Sequence, residues 1–224
     1  MFLSRLRLDT RNYEVRRDLR NIQDLHRTIM AAFPNIPETA ARSAMGVLFR
    51  LEAPPQRDPE ILVQSELMPD WGKLPAGYLR EPPVVRDLAP LLAVCQCGSR
   101  MRFRLDANPI RQIARFDGEG KIRNSAKVPL RDPEARQAWF ARKLEQAGCR
   151  VIEVQISVPP LSKPVGHVKG ESDRTFEGVR FEGLLEVLDV SLFEKMLRTG
   201  IGPGKSYGLG LLSVAPAANT PSQQ

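Results

Sequence analysis

The sequence predicts an α+β protein built of two consecutive β-α-β-β-α-β units of the split βαβ type, with two sheets side by side. Three observations carry this prediction. An alternating apolar and polar run opens the chain, Phe2 to Leu8, and is followed by one helical stretch and two more strand-like runs. The same order returns, less clearly, after residue 100. Finally, 224 residues suffice for one large domain or two small ones, each able to bury a core.

In order, Phe2 to Leu8 reads as a strand with one imperfect step. Asn21 begins a helix: its side chain can cap the first turn, Asp24 stands in the capping-box position, and Ile22, Leu25, Ile29 and Phe33 supply the apolar face. Pro34 stops it, because a proline ring cannot continue helical hydrogen bonding. Met45 to Leu51 and Ile61 to Leu67 are the next strands, and Pro75 to Pro90, without a clear period, is a linker with a little irregular structure. Met101 to Leu105 alternates Met, Arg, Phe, Arg and Leu, a strand with one apolar and one arginine face. Pro133 to Gly148 is a helix with proline in its first turn, Ala138, Trp139 and Leu144 inward, and Gly148 as its stop. Val151 to Val158 and Val179 to Leu188 are strands, and the Pro-, Gly-, Ser- and Lys-rich Pro159 to Thr175 between them is a mobile loop. Leu188 to Arg198 has helical spacing, with Leu188, Leu192, Met196 and Phe193 on one side, and Tyr207 to Val214 is the last strand.

With 42% hydrophobic and 26% charged residues, the chain is a globular protein rather than a disordered one. No apolar run approaches the ~20 residues of a membrane span, and MFLSRLRLDTR lacks the apolar centre of a signal peptide, so a cytoplasmic protein is expected. Cys95 and Cys97 are too close for an ordinary bridge, Cys149 is isolated, and no pair of CxxC elements offers four zinc ligands. Free buried thiols and no metal site are therefore expected. The net charge of +7 favours a polyanionic partner. Most of the excess lies in Arg100, Arg102, Arg104, Arg111, Arg115, Lys121, Arg123 and Lys127, opposed only by Asp106, Asp117 and Glu119. A guanidinium can grip a phosphate with two parallel hydrogen bonds or stack on a base. A solvated basic face is the plainer alternative.

Gly200 to Pro216 reads GIGPGKSYGLGLLSVAP, and Gly204, Lys205 and Ser206 suggest a phosphate cradle. A Walker A loop would need glycine five places before Gly204, where Thr199 stands, and would run from a strand into a helix. Here the order is helix, loop, strand, so a nucleotide triphosphate loop is excluded and a glycine-rich turn is the plain alternative. Of the two histidines, His167 sits in the Gly- and Lys-rich segment without a fixed partner. His26 falls about 40° from Ile22 on the helical wheel, at the border of the apolar face and near the positive helix end, where an anion is favoured. A histidine packed at the core margin is the alternative reading.

The segments MFLSRLRL, NIQDLHRTI, RFRLDANP at 102 to 109, AWFARKLEQAG, FEGLLEV and GIGPGKSYGLGLLSVAP together resemble the CasE family of CRISPR-associated repeat-RNA endoribonucleases. The similarity runs in order from Met1 to about Pro216. It implies tandem ferredoxin-like domains of the RAMP type: residues 1–90 with the catalytic histidine, 91–216 with a basic RNA-binding face and the glycine-rich loop, and a disordered tail at 217–224. It further implies cleavage of the CRISPR repeat hairpin in precursor RNA, retention of the product and membership of the Cascade surveillance complex, with a non-catalytic RNA-binding subunit of the same fold as the alternative. The reaction would be attack of a ribose 2′-OH on its own phosphate, which needs no metal or cofactor but does need a proton-exchanging group and cations around the phosphorane.

The resemblance assigns the catalytic place to His26, as base on the 2′-OH or acid on the leaving oxygen. Members commonly carry tyrosine three residues earlier, where this chain has Gln23, which can hydrogen-bond but cannot exchange a proton as a phenol can. Tyr13 is a conceivable substitute. Arg27 is a candidate phosphate partner, or else a salt-bridged surface arginine. Gly202, Gly204, Lys205 and Ser206 are expected beside the scissile region. Arg102, Arg104 and a basic loop from Gln112 to Lys127, with Arg111, Arg115, Lys121 and Arg123, are expected on the RNA stem, whose shape and ends are what a protein can read.

Overall fold

The computed structural model describes residues 1–34, 45–53, 55–116, 122–160, 165–166 and 174–217, without the side chains of 115, 116, 122–125, 165, 166, 174 and 175. The first sheet has strands β1 (Phe2–Arg7), β2 (Leu48–Glu52), β3 (Glu60–Ser65) and β4 (Val84–Asp87) in the order β2-β3-β1-β4, all neighbours antiparallel. Helices α1 (Tyr13–Arg20) and α2 (Ile22–Met30) cross from β1 to β2 and bury Val15, Ile22, Leu25 and Ile29 against Leu6, Phe49, Ile61 and Val63. Asn21 separates the helices. Its extended backbone closes α1 through N–H to Arg17 O, while its side chain accepts from Gln23 N at 3.2 Å and so caps α2.

Asp18 is fully buried yet satisfied by Tyr78 Oη, Thr28 Oγ1 and Arg17 Nε at 2.8, 2.6 and 2.8 Å, which fastens α1 to α2 and to the chain ahead of β4. Between β3 and β4 the described residues hold a 3₁₀ turn, Trp71–Lys73, in place of a second long helix. Trp71 donates its indole N–H to Ser4 Oγ and plugs that side of the core.

After a short α3 (Ala89–Ala93) come β5 (Arg100–Ala107), a hairpin of β6 (Ile110–Phe116) and β7 (Ile122–Pro129), α4 (Pro133–Glu145), β8 (Cys149–Ser157), a short pair β9 (Val165–Gly166) and β10 (Arg174–Thr175), β11 (Val179–Val187), α5 (Val190–Thr199) and β12 (Leu212–Pro216). The second sheet runs β12-β5-β11-β8, again wholly antiparallel. Met101, Phe103 and Leu105 point to one face of β5, where Phe140 stacks between Phe103 and Phe181 with ring centroids 5.1 and 4.7 Å apart. Both sheets therefore have the ferredoxin-like strand order, in tandem.

Several expectations are corrected in detail. Tyr13 opens α1 rather than sitting in a loop; Asn12 caps that helix, which buries Val15 and Asp18 and packs Leu19 against the core. Helix α2 ends at Met30, four residues before Pro34. The supposed linker contains β4, which completes the first sheet, and the supposed basic loop is the β6–β7 hairpin. On α4 Ala138 is exposed and Phe140 is buried; Leu188 lies ahead of α5 and is exposed, as is Leu192 within it, and the helix's buried face is Phe193, Met196 and Leu197. Tyr207 lies in a 3₁₀ turn, Lys205–Tyr207, ahead of the last strand. All three cysteines are free, but Cys97 is exposed. Lys121, His167, residues 218–224 and most of the segment from 159 to 175 lie outside the described residues. Among the described residues no helix is long and apolar enough to cross a membrane.

The two units are joined by buried charge. Arg50, 2% exposed, donates through Nη1 to Arg104 O and Leu211 O, each at 3.1 Å, and through Nε to Glu52. Glu52 also receives Arg104 and Arg180, while Arg180 forks onto both oxygens of Asp106 at 2.7 and 2.8 Å. Every charge in this network is paired, the condition under which buried ions are tolerated.

Candidate active site

A cavity of about 720 Å³ opens between the two units, lined by His26 and Met30 of α2, Gly46 to Leu48, Glu66, Ser191, Glu194, Lys195, Arg198 and Thr199 of α5, and Lys205 and Ser206. His26 is half-buried at the border of α2's apolar face, with its ring tilted against Phe49 at 6.1 Å. It reaches the cavity because Leu25 and Ile29 hold the adjacent stripe of the helix in the core.

The glycine-rich loop delivers the second side. Gly204 has φ +88° and starts the 3₁₀ turn; a Cβ there would sit 3.0 Å from Leu209 Cδ1 and 3.3 Å from Phe176 Cδ1. Its left-handed backbone and its packing both require glycine. Gly202, φ +76°, has its open side 3.3 Å from the Trp139 ring, so it too faces protein rather than an open cradle. Gly210 N–H donates to Asp106 O and Ile201 N–H to Gly210 O, tying the loop to β5. The turn thus holds Lys205 in the cavity. Burial pushes the Lys205 ammonium below its ordinary pKa, and among the described residues it has no carboxylate partner. Arg198, by contrast, is committed to Glu66 and Glu194. Among the described residues Lys195 and Lys205 are the cavity's cations without an ion-pair partner, and one oxygen of Glu66, Oε1, is buried and unbonded.

Gln23 stands one turn before His26 and donates from Nε2 to the Tyr207 hydroxyl at 2.6 Å. Tyr207 is 4% exposed, with its ring 4.4 Å from Phe176. Tyr13, the substitute considered from sequence, is 70% exposed at the start of α1 and does not line the cavity. Arg27 is exposed and paired with Asp24, the surface ion pair of the alternative reading. Gln23, His26, Lys205 and Ser206 are thus brought together, while Arg27 is not.

The basic residues are distributed differently. Arg102 is exposed on β5 and makes no ion pair among the described residues. Arg104, on the same face, is bound to Glu182 at 2.6 Å and to Glu52 at 3.2 Å, so it belongs to the network joining the units. In the hairpin register Gln112 faces Lys127 and Arg111 faces Val128, which puts Arg111 and Lys127 on opposite faces of the ribbon, both exposed. The side chains of Arg115 and Arg123 are outside the description, as is Lys121. Sequence reasoning missed Lys195, the Glu66–Arg198 pair and Tyr207. The first two carry no local signal; Tyr207 stands beside the glycines, where the sequence predicts the start of a strand. Among the described residues no three His, Cys, Asp or Glu side chains are grouped to hold a metal ion.

Two antiparallel ferredoxin-like units, with a histidine and a half-buried lysine facing one cleft between them, define a tandem ferredoxin-like protein with an interdomain site. The CRISPR-associated protein family matches residues 1–216. The CRISPR-associated endoribonuclease Cse3 of Thermus thermophilus is 37% identical, with 96% of this chain and 100% of that protein covered. The Cascade subunit CasE of Escherichia coli is 34% identical over 88% of this chain and 93% of that protein. Among solved structures, Cse3 bound to an RNA representing a pre-cleavage complex has TM-score 0.76 at 36% identity, covering 96% and 98% of the two chains. Cas6e from Escherichia coli has TM-score 0.67 at 27% identity, covering 97% and 100%. The chain belongs to this family of CRISPR-associated proteins, together with Cse3 and CasE.

Proposed function

We propose that this endoribonuclease binds the stem-loop of its CRISPR repeat RNA, cleaves precursor RNA at the base of the stem, and keeps the product hairpin within a Cascade complex. The single observation that carries the reading is that His26 and Lys205, from different units of the fold, line the same cavity. The ribose 2′-oxygen attacks the adjacent phosphorus and the bond to the 5′-oxygen breaks, so a proton leaves the 2′-OH and another reaches the departing oxygen. His26 performs one of these transfers, the imidazole being the side chain best suited to both directions near neutral pH. Lys205 stabilises the additional negative charge of the phosphorane, and its partial desolvation strengthens that attraction. The products are a 2′,3′-cyclic phosphate and a 5′-OH, with no metal assigned a role.

Recognition rests on backbone contacts. Arg102, Arg111 and Lys127 are exposed cations on β5 and the hairpin, with Arg115 and Arg123 on the same ribbon, and Lys121, as further candidates. Gly202, Gly204 and Ser206 support the RNA indirectly, by holding the turn that bears Lys205. Arg104 and Arg27 would have to leave carboxylate partners to meet a phosphate. Purified protein incubated with the CRISPR repeat RNA of its own genome in EDTA should cut at one position and leave a cyclic phosphate. Tight binding without cleavage would instead indicate a non-catalytic subunit.

A further inference from the structure

The bond between Gln23 and Tyr207 joins the two halves of the site. Gln23 and His26 share one side of α2, whose first turn is held by Asn21 and whose inner face is packed by Ile22 and Leu25. Lys205 and Tyr207 share one 3₁₀ turn, held at its start by Tyr207 N–H to Gly204 O at 2.8 Å and at its end by Gly208 N–H to Lys205 O. A displacement of either element would therefore carry a reactive group with it. The 2.6 Å hydrogen bond from Gln23 Nε2 to Tyr207 Oη joins α2 to this turn. Phe176 packs against the ring of Tyr207 with centroids 4.4 Å apart.

We propose that Tyr207 is a positioning residue for the cleavage reaction: its hydroxyl, bound to Gln23, keeps the Lys205 turn in register with the His26 helix. The inference rests on the proposed cleavage and adds to it a role for a residue outside the cavity wall. Tyr207 exchanges no proton with substrate. It acts through Gln23, whose amide is thereby given a fixed direction one turn from His26. Reacting groups tolerate little misplacement, a shift of about 1 Å costing up to roughly a hundredfold in rate.

The test is single-turnover cleavage of repeat RNA at saturating protein by wild type, Tyr207→Phe, Gln23→Leu and the double variant, with affinity measured on RNA carrying a 2′-deoxy group at the cleavage site. Tyr207→Phe keeps the ring on Phe176 and removes one oxygen, and a thermal melt of each variant confirms that it is folded at the assay temperature. Expected is a fall of about tenfold in cleavage of bound RNA, the kinetic equivalent of one ordinary hydrogen bond, with affinity within about twofold. Gln23→Leu should lose at least as much, and the double variant no more than the worse single one, because both remove the same link. The pH–rate profile should keep its shape at reduced height. A wild-type rate in Tyr207→Phe, multiplicative losses in the double variant, or loss of one limb of the pH profile would each overturn the positioning role. Absence of cleavage by the wild type is a separate result: it overturns the proposed reaction and this inference with it.

Discussion

Gly204→Ala tests whether the glycine loop is a packed mount for Lys205 or only a turn. Two costs can be separated. Alanine at φ +88° costs about 1–2 kcal/mol for the left-handed backbone. The new methyl also meets Leu209 Cδ1 at 3.0 Å and Phe176 Cδ1 at 3.3 Å, in a setting where overpacking costs about 1–3 kcal/mol. Gly98 isolates the first cost, since it has φ +87° and nothing within 4 Å of its added Cβ. At about 2–4 °C per kcal/mol for a chain of this size, Gly204→Ala should melt about 2–12 °C below Gly98→Ala. Cleavage should fall about 10- to 100-fold in Gly204→Ala, because the displaced turn carries Lys205, and stay at the wild-type rate in Gly98→Ala. The assays are differential scanning calorimetry and single-turnover cleavage of repeat RNA. Equal melting temperatures with wild-type rates in both variants would refute the packing argument and leave the loop a simple connection.

His26→Ala should lower single-turnover cleavage by roughly 10²- to 10⁴-fold with nearly unchanged RNA affinity; lost affinity with an unaltered rate for bound RNA would make it a recognition residue. Lys205→Ala should slow cleavage and also weaken binding, reducing the slope of log affinity against log salt by roughly 0.7 to 0.9. Arg102→Ala should reduce that slope alone, whereas Arg104→Ala should lower the melting temperature, since it removes a partner of Glu52 and Glu182. For Glu52, burial alone would raise the carboxyl pKa, but Arg50 and Arg180 outweigh it and hold the group below the usual carboxylate range. A depressed native pKa contributes stability above the unfolded value, about 4.3, that is lost as pH falls through the native one. Wild type should therefore lose melting temperature below about pH 4 more steeply than Glu52→Gln; parallel curves would place the acid sensitivity elsewhere.

Much of the candidate site was legible in the chain because its signals are local. His26 at the edge of an apolar helical stripe, the Asn21 cap beneath it and the glycines flanking Lys205 depend on neighbours within a turn or two. Alternation in Phe2 to Leu8 and Met101 to Leu105 likewise marks one interior strand of each sheet, since a half-buried strand has period two. What stayed hidden depends on residues distant in sequence. The arginine face of β5 is visible as a pattern, yet only the folded chain brings Glu52 and Glu182 to Arg104 and leaves Arg102 exposed. Helix α1 is held by Asp18 to Tyr78, sixty residues away, a contact that no spacing within the helix shows. Gln23 read alone is a glutamine where a tyrosine was expected; a phenol does reach it, from Tyr207, 184 residues further along the chain. Local hydrogen bonding and periodicity are written in the sequence, whereas the pairing of side chains across two sheets is decided by how their apolar faces pack, which brings together groups that no spacing relates.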